Sequence, residues 1–181
     1  MTLGIAYPTQ GPLSTLASRL DIYTTDDIQA LAFPGATNVN RCSTQLNAQS
    51  TTTLASITGL SQAVVPGNYR FSARLATSAT GTAGGGVQAG FALSGGAVIT
   101  SMDATGLAFT TAAVAGSHTT TTATGTALIS STTAAIYVTL DGTMVVGTGG
   151  TITLQFAQSA SSVSTCAVLV GSSLEFTRLA N

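Results

Sequence analysis

The one histidine, His118, is where a search for chemistry begins, because imidazole is the side chain best suited to act as a base near neutral pH. A hydrolytic triad would need a nucleophile beside it and a carboxylate to orient it. His118 sits in the threonine-rich stretch Gly116-Ser-His-Thr-Thr-Thr-Thr-Ala-Thr-Gly125, with no acid nearer than fifteen residues. It reads as a surface histidine on an exposed loop or edge strand. Paired-carboxylate catalysis needs two acids about 5–10 Å apart. Asp103, Asp141 and Glu175 are single acids near turns or strand ends, and the adjacent pair Asp26-Asp27 fits the start of a helix. Gly81-Thr-Ala-Gly-Gly-Gly86 lacks the lysine and the following helix of a phosphate loop, so it reads as a flexible hairpin loop. No catalytic residue, cofactor site or metal site is assigned, and the chain is expected not to be an enzyme.

Cys42 and Cys166 show neither a C-x-x-C pair nor a zinc spacing. They read first as buried thiols. The alternative is a disulfide between Cys42 and Cys166 that staples the N-terminal segment to the rest. Residues 1–8 lack the basic and apolar regions of a secretory signal, so synthesis in a cytosol is expected, where thiols stay reduced.

Composition narrows the elements that could position these residues. Only 6% of the 181 residues are charged, against roughly 25% in an ordinary soluble protein. All the basic residues are arginines, Arg19, Arg41, Arg70, Arg74 and Arg178, too scattered to follow a phosphate backbone, so no nucleic-acid partner is expected. With 44% apolar residues and a mean hydropathy of +0.44, disorder is excluded. No run approaches the ~20 apolar residues of a membrane helix, and the chain lacks the tryptophan-rich girdles of a membrane barrel. No membrane partner is expected. A net charge of −1 leaves a neutral surface of Thr, Ser, Ala, Gln and Gly that tends to associate with a permanent neighbour.

From Thr51 onward apolar residues alternate with polar ones, the period of a strand with one buried face. Tyr69, Phe71 and Leu75 share one side, with Arg70, Ser72 and Arg74 on the other. The alternation assigns Phe91, Leu93, Ile136, Val138, Leu140, Ile152, Leu154, Phe156, Leu174 and Phe176 to the same core. Glycine turns recur about every ten residues, the punctuation of a sandwich or barrel. Asp141-Gly142 is read as a type I′ turn joining strands 136–140 and 143–146. The expected fold is all-β: an antiparallel, jelly-roll-like β-sandwich over residues 51–181, preceded by an irregular arm over 1–50. A short helix is expected at Thr24–Leu31, with a threonine cap and acids in its first turn. The arm carries Leu13, Leu16, Leu20, Ile22, Ile28, Leu31 and Phe33, too many apolar groups to leave in water, and these are expected to contact a partner subunit.

One ordered series has a familiar look: Gly59-Leu60, Val65-Pro-Gly-Asn-Tyr-Arg-Phe71, Gly90-Phe-Ala-Leu-Ser-Gly95, Ile136-Tyr-Val-Thr-Leu-Asp-Gly142, Gly150-Thr-Ile-Thr-Leu-Gln-Phe-Ala-Gln158 and Gly171-Ser-Ser-Leu-Glu-Phe-Thr-Arg178. It resembles small β-sandwich virion proteins of tailed bacteriophages, the capsid decoration, head-fibre and tail-associated subunits, over residues 54–179. The resemblance implies a structural protein of the virion, assembled in the host cytoplasm. Its first form is a capsid decoration, or cement, subunit that is homo-oligomeric, with a trimer favoured, and that contacts the major capsid protein or other virion subunits. The alternative is a receptor- or glycan-binding module of a tail fibre, baseplate or adhesin. Sugar-binding modules usually display aromatic rings, and the shortage of rings here favours the first form. No catalytic residues or cofactors come with the resemblance.

Overall fold

The computed structural model describes residues 35, 37–79, 85–110, 113–121 and 124–179. The expected helix at 24–31 and the apolar residues Leu13 to Phe33 lie outside them. The described residues form β1 (Thr37–Arg41), β2 (Leu46–Ala48), β3 (Ala55–Val64), β4 (Gly67–Ala79), β5 (Val87–Ser94), β6 (Val98–Phe109), β7 (Val114–Thr121), β8 (Ala127–Ser131), β9 (Tyr137–Thr148), β10 (Gly150–Ala157), β11 (Cys166–Val168) and β12 (Ser173–Arg178). Eight of these pair as one long nested hairpin: β1 with β12, β3 with β10, β4 with β9 and β5 with β8. Rolling that hairpin up sets β12 beside β4 and β10 beside β5, which is the arrangement of a jelly roll. The hairpin of β6 and β7 is inserted between β5 and β8 and widens one sheet beyond β9. The larger sheet therefore runs β1, β12, β4, β9, β6, β7, with β11 and β2 continuing it past the end of β12, and the smaller runs β3, β10, β5, β8.

Alternation decides which side chains enter the space between the sheets. Phe71, Phe91, Phe156 and Phe176 are buried there, and the rings of Phe71 and Phe91 meet edge to face across the two sheets with centroids 5.2 Å apart. At the entrance to β4 the Tyr69 hydroxyl donates to the Val65 carbonyl at 2.9 Å and accepts from the Val65 amide at 3.2 Å. It thereby pins the corner made by Pro66 and Gly67. Ile136 departs from the expected core, with 54% of its surface exposed. The chain bends just before β9, and Ala135 takes the buried place instead. Leu93 is only partly buried, packed against the edge of the core.

The expected turn at Asp141-Gly142 is not there. β9 runs through both residues as a central strand, with Asp141 opposite Ser72 and Thr105 and Gly142 opposite Phe71 and Ala104. Gly142 is needed for its missing side chain: a Cβ would meet the Asp103 carbonyl oxygen and lie 2.7 Å from the Phe71 ring. Gly106 likewise lies inside a strand, β6, where a Cβ would come within 2.5 Å of Ile129 on the facing sheet. β6 accordingly runs unbroken from Val98 to Phe109.

The sheet also begins earlier than the expected boundary at residues 50 and 51. β1 pairs with β12 and β2 with β11, and Cys42 and Ala48 are buried in the core. Residues 37–48 belong to the sandwich. Their strands are short and mostly polar, Thr-Asn-Val-Asn-Arg and Leu-Asn-Ala, so alternation alone is too weak to mark them.

Candidate functional site

The two outer faces of the sandwich differ in kind. On the larger sheet, Val39, Glu175, Ser72, Asp141, Thr105 and His118 stand in one cross-strand row. The next row holds Thr37, Thr177, Arg70, Thr143, Asp103 and Thr120. Arg74 and Arg41 lie on the other side of the first row, opposite Thr139 and Ser173 respectively. Apart from Arg178, which donates to the Pro66 carbonyl at one end of the sandwich, every charged side chain of the described residues is on this face. The four strands of the smaller sheet contain no charged residue at all. Its exposed side offers Ser61, Thr151, Thr153, Gln155, Gln88 and Ser94, with the Ser61 and Thr153 hydroxyls bonded to each other at 3.0 Å.

Register creates the ionic contacts. Asp141 and Glu175 flank Ser72, and Arg70 and Arg74 lie two residues to either side of it on β4. Arg74 Nη1 donates to both carboxylate oxygens of Asp141, at 3.0 and 2.8 Å. That carboxylate holds the guanidinium above its ordinary pKa. With the two side chains 42% and 46% exposed, the pair contributes about 0–1 kcal/mol to stability. Among the described residues Arg70 and Glu175 form no ion pair. Together with Thr143 these four charged groups line a shallow depression of about 480 Å³ floored by Gly142.

His118 is exposed on the edge strand β7, as read from the sequence, and there it meets a carboxylate. Its Nε2 lies 2.7 Å from Asp103 Oδ1 across the hairpin of β6 and β7. The signal was available: closing β6 onto β7 at Phe109 and Val114 puts Thr105 opposite His118 and Asp103 diagonal to it. The pair lies open on the sheet, 62% and 56% exposed, without the burial that tunes a catalytic acid and base.

The two thiols are free and buried. Cys166 lies opposite Ala79 of β4, whereas Cys42 bonds to Ser172, whose hydroxyl meets the Ala76 backbone. They are thus at least three residues apart along the strand direction, roughly 10 Å, past the about 7 Å Cα separation a disulfide can bridge. The first reading, two buried thiols, therefore holds, and the alternative staple between them does not form. Burial pushes the Cys166 thiol up to about 11, which keeps it protonated and unreactive.

Two aromatic side chains escape the core, which the sequence reading did not foresee. Phe109 and Tyr137 stand opposite each other on β6 and β9, on the outer side of the larger sheet, with ring centroids 6.1 Å apart. Both are half-buried. Among the described residues no group of three or more His, Cys, Asp or Glu side chains could hold a metal ion. No protein-family model matches the chain, and no curated protein matches it.

Proposed function

We propose that this chain is a structural subunit of a virus particle, a capsid decoration protein of the tailed-bacteriophage type, which lies against its neighbours through the uncharged face of the smaller sheet. The observation that carries the reading is the one-sided distribution of charge. Burying an ionised group against a partner requires removing its water, at several kcal/mol per ion, whereas hydroxyls and amides can exchange water for partner hydrogen bonds at little net loss. Cores of protein interfaces are correspondingly poor in charged residues. A face of Ser, Thr, Gln and Ala on a rigid sheet suits permanent contact, and the opposite face, with its ions exposed, suits solvent. The apolar residues of the N-terminal segment, Leu13 to Phe33, supply a second contact with the lattice or with a copy of the chain, in keeping with a homo-oligomer. The resemblance over residues 54–179 supports the same reading.

The experiment is co-sedimentation of the purified, folded chain with empty phage heads that lack it. Saturable binding, with heads that withstand higher temperature, is the expected result. A folded chain that stays in the supernatant at every concentration would remove the decoration reading.

A further inference from the structure

We propose that the corner of the larger sheet formed by Tyr137, Phe109, Arg74 and Asp141 is a binding site for a neutral oligosaccharide. The inference is independent of how the protein is attached to any assembly, since it concerns the opposite face from the one proposed to dock.

Of the aromatic residues described, Tyr69, Phe71, Phe91, Phe156 and Phe176 are buried. Tyr137 and Phe109 alone stand on a solvent-facing side, and they stand together. An aromatic pair across neighbouring strands steadies a sheet, but that role alone does not account for what surrounds it. Two residues along from the rings, Thr139 lies between Arg74 and Leu107, and Thr139 is covered although it points outward. The register sets Tyr137 diagonal to Arg74 on the neighbouring strand, so the rings and the Arg74 and Asp141 pair share one outer face. On β7, Gly116 stands opposite Leu107, whose side chain lies against it. Val114, 57% exposed, borders Phe109. Beyond Arg74 and Asp141 opens the depression that also holds Arg70 and Glu175.

The chemistry of these groups selects the ligand. Ring faces stack on the apolar C–H face of a pyranose. Guanidinium groups donate and carboxylates accept, which is the complement of a ring of hydroxyls that can do both. Arg74 and Asp141 are already paired and about half exposed, so they keep their charges in place and still present free donor and acceptor positions. The walls carry two cations, Arg70 and Arg74, and two anions, Asp141 and Glu175, for no net charge. An acidic sugar would gain from Arg70 but meet Asp141, Glu175 and, one strand further, Asp103. A neutral chain of sugars meets no such opposition. A depression of this size falls within the range of small-ligand sites, and the rings standing outside it, beyond Arg74, add a second contact that favours more than one sugar unit.

The test uses the full chain and immobilised oligosaccharides built from neutral hexoses and N-acetylhexosamines, with sialyllactose as the acidic probe. The wild type should be retained on at least one neutral probe and not on sialyllactose. Tyr137→Ala should weaken that retention about tenfold, the equivalent of one stacking contact, and Tyr137→Phe should restore it. Asp141→Asn should weaken it with the rings intact, which covers the case of a Tyr137→Ala variant that folds poorly. Thr153→Ala, on the opposite sheet, should leave it unchanged. Failure to bind any neutral probe, binding confined to sialyllactose, or retention indifferent to both Tyr137→Ala and Asp141→Asn would overturn the proposal.

Discussion

A Cβ placed on Gly142 collides with the Asp103 carbonyl and the Phe71 ring, so the residue next to an aspartate is there for space and not for a turn. The same dipeptide has two physical uses, positive φ in a tight turn or close approach in a packed strand, and composition does not separate them. Gly142→Ala should lower stability by about 1–3 kcal/mol, the usual toll of overpacking a core, seen as a drop in melting temperature; an unchanged melt would show that nothing packs closely against this position. Cys166 offers a second test. In the folded chain neither buried thiol should react with iodoacetamide at neutral pH, and both should react once the chain is unfolded without reductant. Two blocked thiols after unfolding would restore the disulfide. Because burial raises the Cys166 thiol from the ordinary 9.0 to about 11, the unfolded chain loses that proton first as pH rises. Stability must therefore fall between pH 9 and 11, and Cys166→Ala should flatten that fall in a series of denaturant melts.

At the scale of elements, the length and phase of alternation determined what could be read. From β4 to β12 the inward residues Phe71, Phe91, Leu154 and Phe176 followed from period two, and the sandwich followed from them. Where the chain crosses Asp141-Gly142 the phase itself held the answer: Val138, Leu140, Met144 and Val146 are all buried, in unbroken step, as one strand requires. A two-residue turn would have put Thr143 opposite Leu140 on the core side and Met144 outside. β1 and β2 were illegible because a short edge strand needs few apolar residues to hold it. The ring pair Phe109 and Tyr137 was missed because its members lie far apart in the sequence and only the pairing of β6 with β9 brings them together, although parity with Leu107 and Thr139 places both outside. Hydrogen exchange distinguishes strand from turn directly. The amides of Thr139 to Thr143 lie in a strand flanked on both sides, so they should exchange among the slowest in the protein. Rapid exchange at Asp141 and Gly142 would support the hairpin instead.

At the scale of the whole molecule, the nested pairing ties the start of the sandwich to its end, since β1 closes on β12 and β2 on β11. Removing residues 1–34 leaves every described strand in place and should give a folded sandwich that binds its assembly more weakly. Removing residues 1–48 also strips β1, β2 and the buried Cys42, and should lower the melting temperature well below that of the shorter deletion. Equal melts for the two would return the boundary to residue 50. The central claim, that an uncharged sheet docks while the ionic sheet stays in solvent, is tested most directly by placing one charge in the middle of the docking face. Thr153 lies on β10, between Ser61 and Ala92, with its side chain half-exposed, so Thr153→Arg can keep the fold while obliging a docked partner to bury a guanidinium. In co-sedimentation with empty heads, a Thr153→Arg chain with a wild-type melt should lose its binding. Binding at the wild-type level would contradict the account.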